Sequence, residues 1–236
     1  MFGKVFLFGL MIIGGVTLAF SQEERAVLFA DSSLPRVGDA PEKFVPSGWT
    51  IEARISGDLN NDAVADTALE LIEKPTADFD KDNPPSRSRV LLILFKNKSG
   101  AFERVAAAKT LLQCTRCGGA FYGVIEAPAE VTIAKGVLII KQEHGSREVS
   151  ETTYRFRYNP AVKKFALIGY DAIDRDRATD ETTSQSANYS TGVKITETLQ
   201  YSKKLDRDVK KAAQRVKISK TPRYLEQINY ETFGND

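Results

Sequence analysis

A chain of 236 residues with 33 Lys and Arg against 31 Asp and Glu has a formal net charge of +2, too weak a field to gather nucleic acid or an anionic membrane by charge alone. The length suits one domain with a real hydrophobic core, and two cysteines with one histidine leave no second pair to complete a zinc site. Recognition must come from local features, with an unidentified protein or envelope component as the expected partner and no nucleic acid.

Lys4 precedes an apolar run from Val5 to Ala19, and Ala19-Phe20-Ser21 puts small residues three and one before a cut ahead of Gln22. This pattern predicts a secretory signal peptide over residues 1–21. The run falls short of the roughly 20 apolar residues that a membrane span needs, so no span is expected after cleavage. No cysteine follows the cut to carry a lipid, and the expected location is periplasmic or secreted. Residues 22–44 combine charge with Pro35, Gly38 and Pro41 and few large apolar side chains, the composition of an extended arm or a loosely held entry strand, with mobility expected.

A β-rich domain is expected over 45–202. Ile51, Ala53 and Ile55 alternate with Glu52 and Arg54, a half-buried strand, and strand character resumes at Ala68 to Ile72. Between them lies Gly57-Asp58-Leu59-Asn60-Asn61-Asp62-Ala63-Val64-Ala65-Asp66. Asp58, Asn60, Asp62 and Asp66 stand at positions 1, 3, 5 and 9 of a loop whose position 7, Val64, offers its backbone carbonyl, the order used by calcium loops built on hard oxygen ligands. With a strand on either side, this is a turn in a hairpin and not the middle of a helix pair.

Residues 48–73, through these positions and the apolar Ala68-Leu69, resemble one repeat of the FG-GAP or VCBS type, in which a strand, an acidic loop and a second strand recur around a propeller. The resemblance implies calcium ligands at Asp58, Asn60, Asp62 and Asp66. Phe44 to Trp49, Cys114 to Gly119 and Asn188 to Gly192 are similar in order to secreted bacterial proteins of uncharacterised activity, which implies no reaction. Ala63 departs from the repeat, which has Gly where the loop turns with positive φ, and position 12 is Leu69 in place of a bidentate Glu. Two readings fit: a weak calcium site of the extracellular range, about 10⁻⁴ to 10⁻³ M, or an acidic turn whose side chains bond their own backbone.

Lys74 to Arg89, with Asp78, Asp80, Asp82, Pro84 and Pro85, breaks regular structure and reads as an exposed insertion. Arg89 to Phe95 is apolar almost throughout, as a central strand buried on both faces would be, and Phe102 to Ala107 follows a turn. Val131-Thr132-Ile133 and Val137 to Ile140 flank a turn at Ala134-Lys135-Gly136. Tyr154, Phe156 and Tyr158 alternate with Arg155 and Arg157, an aromatic core face rather than a base-stacking platform. The chain turns at Asn159-Pro160 and returns through Lys164 to Tyr170. Asp171 to Gln185 reads as a second charged loop, and Ser186 to Leu199 as a hairpin through Thr191-Gly192. Residues 203–236 form a basic segment packing on or trailing the domain, with a short helix over Asp208 to Val216 and a last helical turn capped near Thr221-Pro222.

The expected fold is all-β and mainly antiparallel: a meander folded into a sandwich, or a partial propeller-like sheet, with short C-terminal helical turns. One acidic loop without an internal period does not make a propeller. Cys114 and Cys117 have the spacing of a redox motif, with Arg116 placed to stabilise a thiolate, but Gly118-Gly119 and the β-rich surroundings favour a structural disulfide. His144 is read into a hairpin loop with Glu143, Ser146 and Glu148 near it. A hydrolase would need it as the base for a serine, and no P-loop, dinucleotide fingerprint or HExxH motif accompanies it. The function expected is therefore that of an exported, calcium-stabilised binding or structural protein, with a periplasmic thiol-disulfide protein using Cys114 and Cys117, or a hydrolase using His144, as the alternatives.

Overall fold

A computed structural model describes residues 29–30, 32, 34–75, 82, 84–123 and 125–234. The signal-peptide reading of 1–21, and Asp78 and Asp80 of the insertion, lie outside the described residues. Twelve strands follow in order: β1 Val37–Gly38, β2 Trp49–Gly57, β3 Asp66–Glu73, β4 Arg89–Lys96, β5 Phe102–Ala108, β6 Ala129–Ala134, β7 Val137–Gly145, β8 Glu148–Asn159, β9 Lys164–Asp176, β10 Glu181–Asn188, β11 Val193–Ser202 and β12 Arg207–Lys217. They make two antiparallel sheets, β1-β5-β4-β3-β2 and β12-β11-β10-β9-β8-β7-β6. Neighbours in sequence are neighbours in space almost throughout, so the all-β meander is as expected. Among the described residues no helix is long and apolar enough to cross a membrane.

The two sheets bury one core between them. Ala68, Leu91, Ile93, Ala106 and Ala108 from the five-stranded sheet meet Leu138, Ile140, Tyr154, Phe156 and Leu167 from the seven-stranded one. The apolar run of β4 is explained by a second core on its other side, where Leu92 and Leu94 join Leu69 and Leu71 of β3 beneath Phe29, Leu34, Phe44 and Trp49. The described part of the N-terminal arm is thus a lid over the outer face of the five-stranded sheet. Phe29 and Phe44 are fully buried, and β1 pairs with β5 through Val37 and Gly38.

Four expectations are corrected. Asp171 to Gln185 is not a loop: β9 runs on to Asp176, β10 begins at Glu181, and only a tight turn separates them. The acidic side chains that suggested a loop are held across strands, Asp171 by Arg155, Asp174 by Ser150 and Asp176 by Arg147, pairs of the kind that stabilise a sheet face. The helix over Asp208 to Val216 is instead the edge strand β12, paired with β11 along its length. That partner, not local periodicity, decides its conformation. His144 likewise lies within β7 and not in a loop. The final turn, at Leu225–Gln227, is a 3-10 turn closed by the Gln227 side chain accepting from the Tyr224 amide, one turn later than Thr221-Pro222.

Candidate functional site

The acidic loop forms the corner between the sheets. Leu59, an apolar residue among the acids, is fully buried in the inter-sheet core. Gly57 passes so close to Ile133 of β6 that a Cβ would come within 2.5 Å of its Cγ2. Inside the loop, Asp58 accepts from three amides: Asn61 and Asp62 at Oδ1, 2.7 and 3.2 Å, and Ala63 at Oδ2, 2.9 Å. Asn60 Oδ1 accepts from the Asp62 amide, and Asp62 Oδ1 from that of Val64. Asn61 and Ala63 both have positive φ, 62° and 66°, so the backbone makes the turn that the repeat assigns to Gly.

Asp66 is fully buried and clamps the corner: Oδ2 accepts from the Leu59 amide at 2.9 Å and Oδ1 from the Lys96 amide of β4 at 3.0 Å. Burial nonetheless pushes its carboxyl above the usual range. Asp58, Asn60 and Asp62 are drawn together around the loop amides, whereas Asp66 is committed to joining the loop to β4. Among the described residues no three acidic, histidine or cysteine side chains converge as a metal-holding group. The fit to a calcium ion is therefore partial: Asp58, Asn60 and Asp62, whose oxygens can each accept more than one partner, and the Val64 carbonyl would hold it.

Cys114 and Cys117 are joined by a disulfide. Cys114 is 3% exposed, in a buried stretch from Leu111 to Thr115, and Ser86 Oγ lies 2.8 Å from its Sγ. A buried Cys114 sulfur, with only the three-residue 3-10 turn Gly119–Phe121 following the pair, is the setting of a structural bond rather than of a reactive thiolate. The loop docks on the end of β7 by close backbone approach. The Gly145 amide donates to the Gly118 carbonyl at 3.0 Å, and a Cβ on Gly119, whose φ is +69°, would meet the Gly145 carbonyl oxygen at 2.5 Å. Cys117 is thereby set beside His144.

Sequence reasoning missed what this docking creates. On the inner face of the seven-stranded sheet, side chains lie in rows across the strands. Ile140, Tyr154, Tyr170 and Ala187 make one row; Gln142, Thr152, Ala172 and Gln185 the next; His144, Ser150, Asp174 and Thr183 the last. The face changes from apolar to polar over two rows. Gln142 closes the core by clasping the disulfide segment, its Oε1 accepting from the Gln113 amide and its Nε2 donating to the Leu111 carbonyl.

Beyond Gln142 opens a cleft of about 500 Å³, floored by Thr152, Ala172, Asp174 and Gln185 and walled by His144, Cys117 and, near the C-terminus, Tyr230, Glu231, Phe233 and Gly234. Its size is that of a small-molecule site, about 300–1,000 Å³. Phe233 packs against Tyr170 at 5.0 Å between ring centroids. Burial pushes the Tyr170 phenol up to about 12, so the hydroxyl stays protonated. A larger groove, about 860 Å³, follows β5 past Arg36, Glu103, Lys109 and Lys163, but it carries mixed charges, and Arg36 and Glu103 neutralise each other at its rim. The cleft converges polar groups from four adjacent strands, so we take it as the site.

His144, Ser150 and Asp174 share a row, but in an order that does not make a nucleophile. Ser150 Oγ donates to Asp174 Oδ1 at 2.5 Å. Ser150 stands between the other two and not next to a histidine base held by the carboxylate, as an activated serine requires. The arrangement can accept and donate hydrogen bonds to a bound molecule. Compared with known proteins, the chain matches no family model, no curated protein and no solved structure.

Proposed function

We propose that this is an exported binding protein of the cell envelope or extracellular space, built on an antiparallel β scaffold, whose ligand enters the polar cleft at the end of the inner sheet face. The observation that carries this reading is the row His144, Ser150 and Asp174, with Gln185 one row below. Four polar side chains on neighbouring strands of one sheet line one open cleft. Export is supported by the leader-like first 21 residues and by the Cys114–Cys117 disulfide, the kind of bond that persists in oxidising compartments. In this reading the acidic loop takes calcium weakly through Asp58, Asn60, Asp62 and the Val64 carbonyl, and the ion stiffens the corner between the sheets without entering the cleft. Amide chemical shifts recorded against a library of small polar fragments test the cleft. Perturbations clustered on Ser150, Thr152, Asp174 and Gln185 are expected, and a library that leaves those amides unmoved would overturn the reading.

A further inference from the structure

We infer that the cleft is a saccharide site, one that takes a neutral, polyhydroxylated ring. This rests on the reading of the cleft as the binding site and adds the class of ligand.

The charge of the lining comes first. Among the described residues Asp174 and Glu231 line the cleft and no Lys or Arg does, so phosphates, carboxylates and acidic peptides would meet like charge there with no Lys or Arg to offset it. A cation would satisfy the carboxylates, but it donates and cannot accept. The cleft offers both kinds of partner: the Gln185 amide, the Thr152 hydroxyl and the His144 ring nitrogens, with the Ser150 hydroxyl, whose proton goes to Asp174, as a further acceptor. A sugar hydroxyl is also both at once, and pairs with every one of these groups.

The carboxylate is suitably held. Ser150 takes Oδ1 of Asp174 and so fixes its rotamer, while the second oxygen of the same carboxylate is an acceptor for a ligand hydroxyl, the charge-assisted bond that gives polar recognition its strength.

The wall supplies what the floor lacks. The C–H face of a sugar ring is apolar and packs on an aromatic side chain. Phe233 is such a wall, braced by Tyr170 at 5.0 Å and Tyr154 at 5.6 Å. Phe233 also lines a neighbouring cavity of about 280 Å³, whose Arg223 sits over the Phe233 ring at 5.1 Å and holds it from that side. Gly234 then lets the chain pass: its φ is +95°, and a Cβ there would meet the Tyr170 hydroxyl at 2.6 Å.

The test titrates the protein with glucose, N-acetylglucosamine, maltose and cellobiose, with n-butylammonium as the cationic probe and inorganic phosphate as the anionic one, following the amides of Ser150, Thr152, Asp174, Gln185 and Gly234. The expected result is saturable shifts with at least one sugar, and affinity lowered about tenfold or more in Asp174→Asn and in Gln185→Ala, each checked by thermal melt to be folded. Shifts from n-butylammonium or phosphate without any from the sugars would overturn the saccharide assignment and leave the cleft as a site of other chemistry. Amides unmoved by these probes and by the fragment library alike would remove both readings. Sugar shifts that persist unchanged in both variants place the ligand elsewhere and overturn the proposal.

Discussion

Ala63 has a φ of 66°, a conformation that costs an L-residue with a Cβ roughly 1–2 kcal/mol. Gly removes that cost but adds freedom to the unfolded chain, so Ala63→Gly is expected to stabilise the protein by up to about 1 kcal/mol, read as a higher urea midpoint with an unchanged slope. Glu70 shows strain of another kind. It lies in β3, 4% exposed, and burial, together with the nearby Glu52 and only partly offset by Arg89, pushes its carboxyl up from 4.5 to about 7. The folded chain therefore holds a proton that the unfolded chain releases. Stability from this group is complete below pH 4.5 and is lost as pH rises toward about 7. Glu70→Gln is expected to flatten that slope and to gain up to about 3 kcal/mol at neutral pH, measured by urea unfolding across a pH series. A slope the same as in the parent protein would remove Glu70 as its cause, while Asp66, raised by burial as well, leaves a residual slope of the same sign.

At the scale of elements, the β2–β3 loop is held by its own hydrogen bonds and by two anchors, Leu59 in the core and Asp66 on β4. These bonds within the chain already fix much of the loop's shape, so the effect of calcium is expected to be a modest linkage term. Millimolar calcium is expected to raise the melting temperature by a few degrees, and Asp62→Ala to abolish the rise; identical melts with calcium and with chelator would leave a self-bonded turn. The edge strand β12 shows how neighbours override local sequence. Arg207, Lys210, Lys211, Arg215 and Lys217 make it a basic outer edge, the device by which exposed strands resist pairing with other chains, while Lys210 reaches back to Glu197 of β11.

For the molecule as a whole, the five-stranded sheet needs cover on both faces. The seven-stranded sheet covers one; Phe29, Leu34, Phe44 and Trp49 cover the other. A chain beginning at Val45, where the β-rich domain was expected to start, would keep Trp49 but lose Phe29, Leu34 and Phe44, uncovering Leu69, Leu71, Leu92 and Leu94. Each large core side chain removed costs about 3–5 kcal/mol, against a total stability of about 5–15 kcal/mol. That truncation is expected to melt far below the longer chain and to scatter light on heating; a melt within a few degrees of the full protein would mean that the arm adds little. The second cover also explains why β4 has no polar face: both of its faces are interior.

The sequence by itself determined the strands whose alternation is strong, since period-two patterning such as Ile51-Ala53-Ile55 or Tyr154-Phe156-Tyr158 has one economical arrangement, and the meander follows from short turns between them. It determined the acidic loop as a turn, and the spacing that made a Cys114–Cys117 bond feasible. The strands from Asp171 to Gln185 and from Arg207 to Lys217 were illegible because charged and small residues stand among few large apolar ones, with no clean period-two stripe, and the cross-strand partners rather than local pattern make them strands. The cleft was hidden for the same reason. Ser150 and Thr152 continue the aromatic face of β8, a signal open to the sequence, but Asp174 and Gln185 lay in a stretch read as a loop. Tyr230 to Gly234 come from the far end of the chain. Tertiary structure alone decided that these residues, with His144, face one space, because which strands are adjacent depends on contacts that local spacing does not encode.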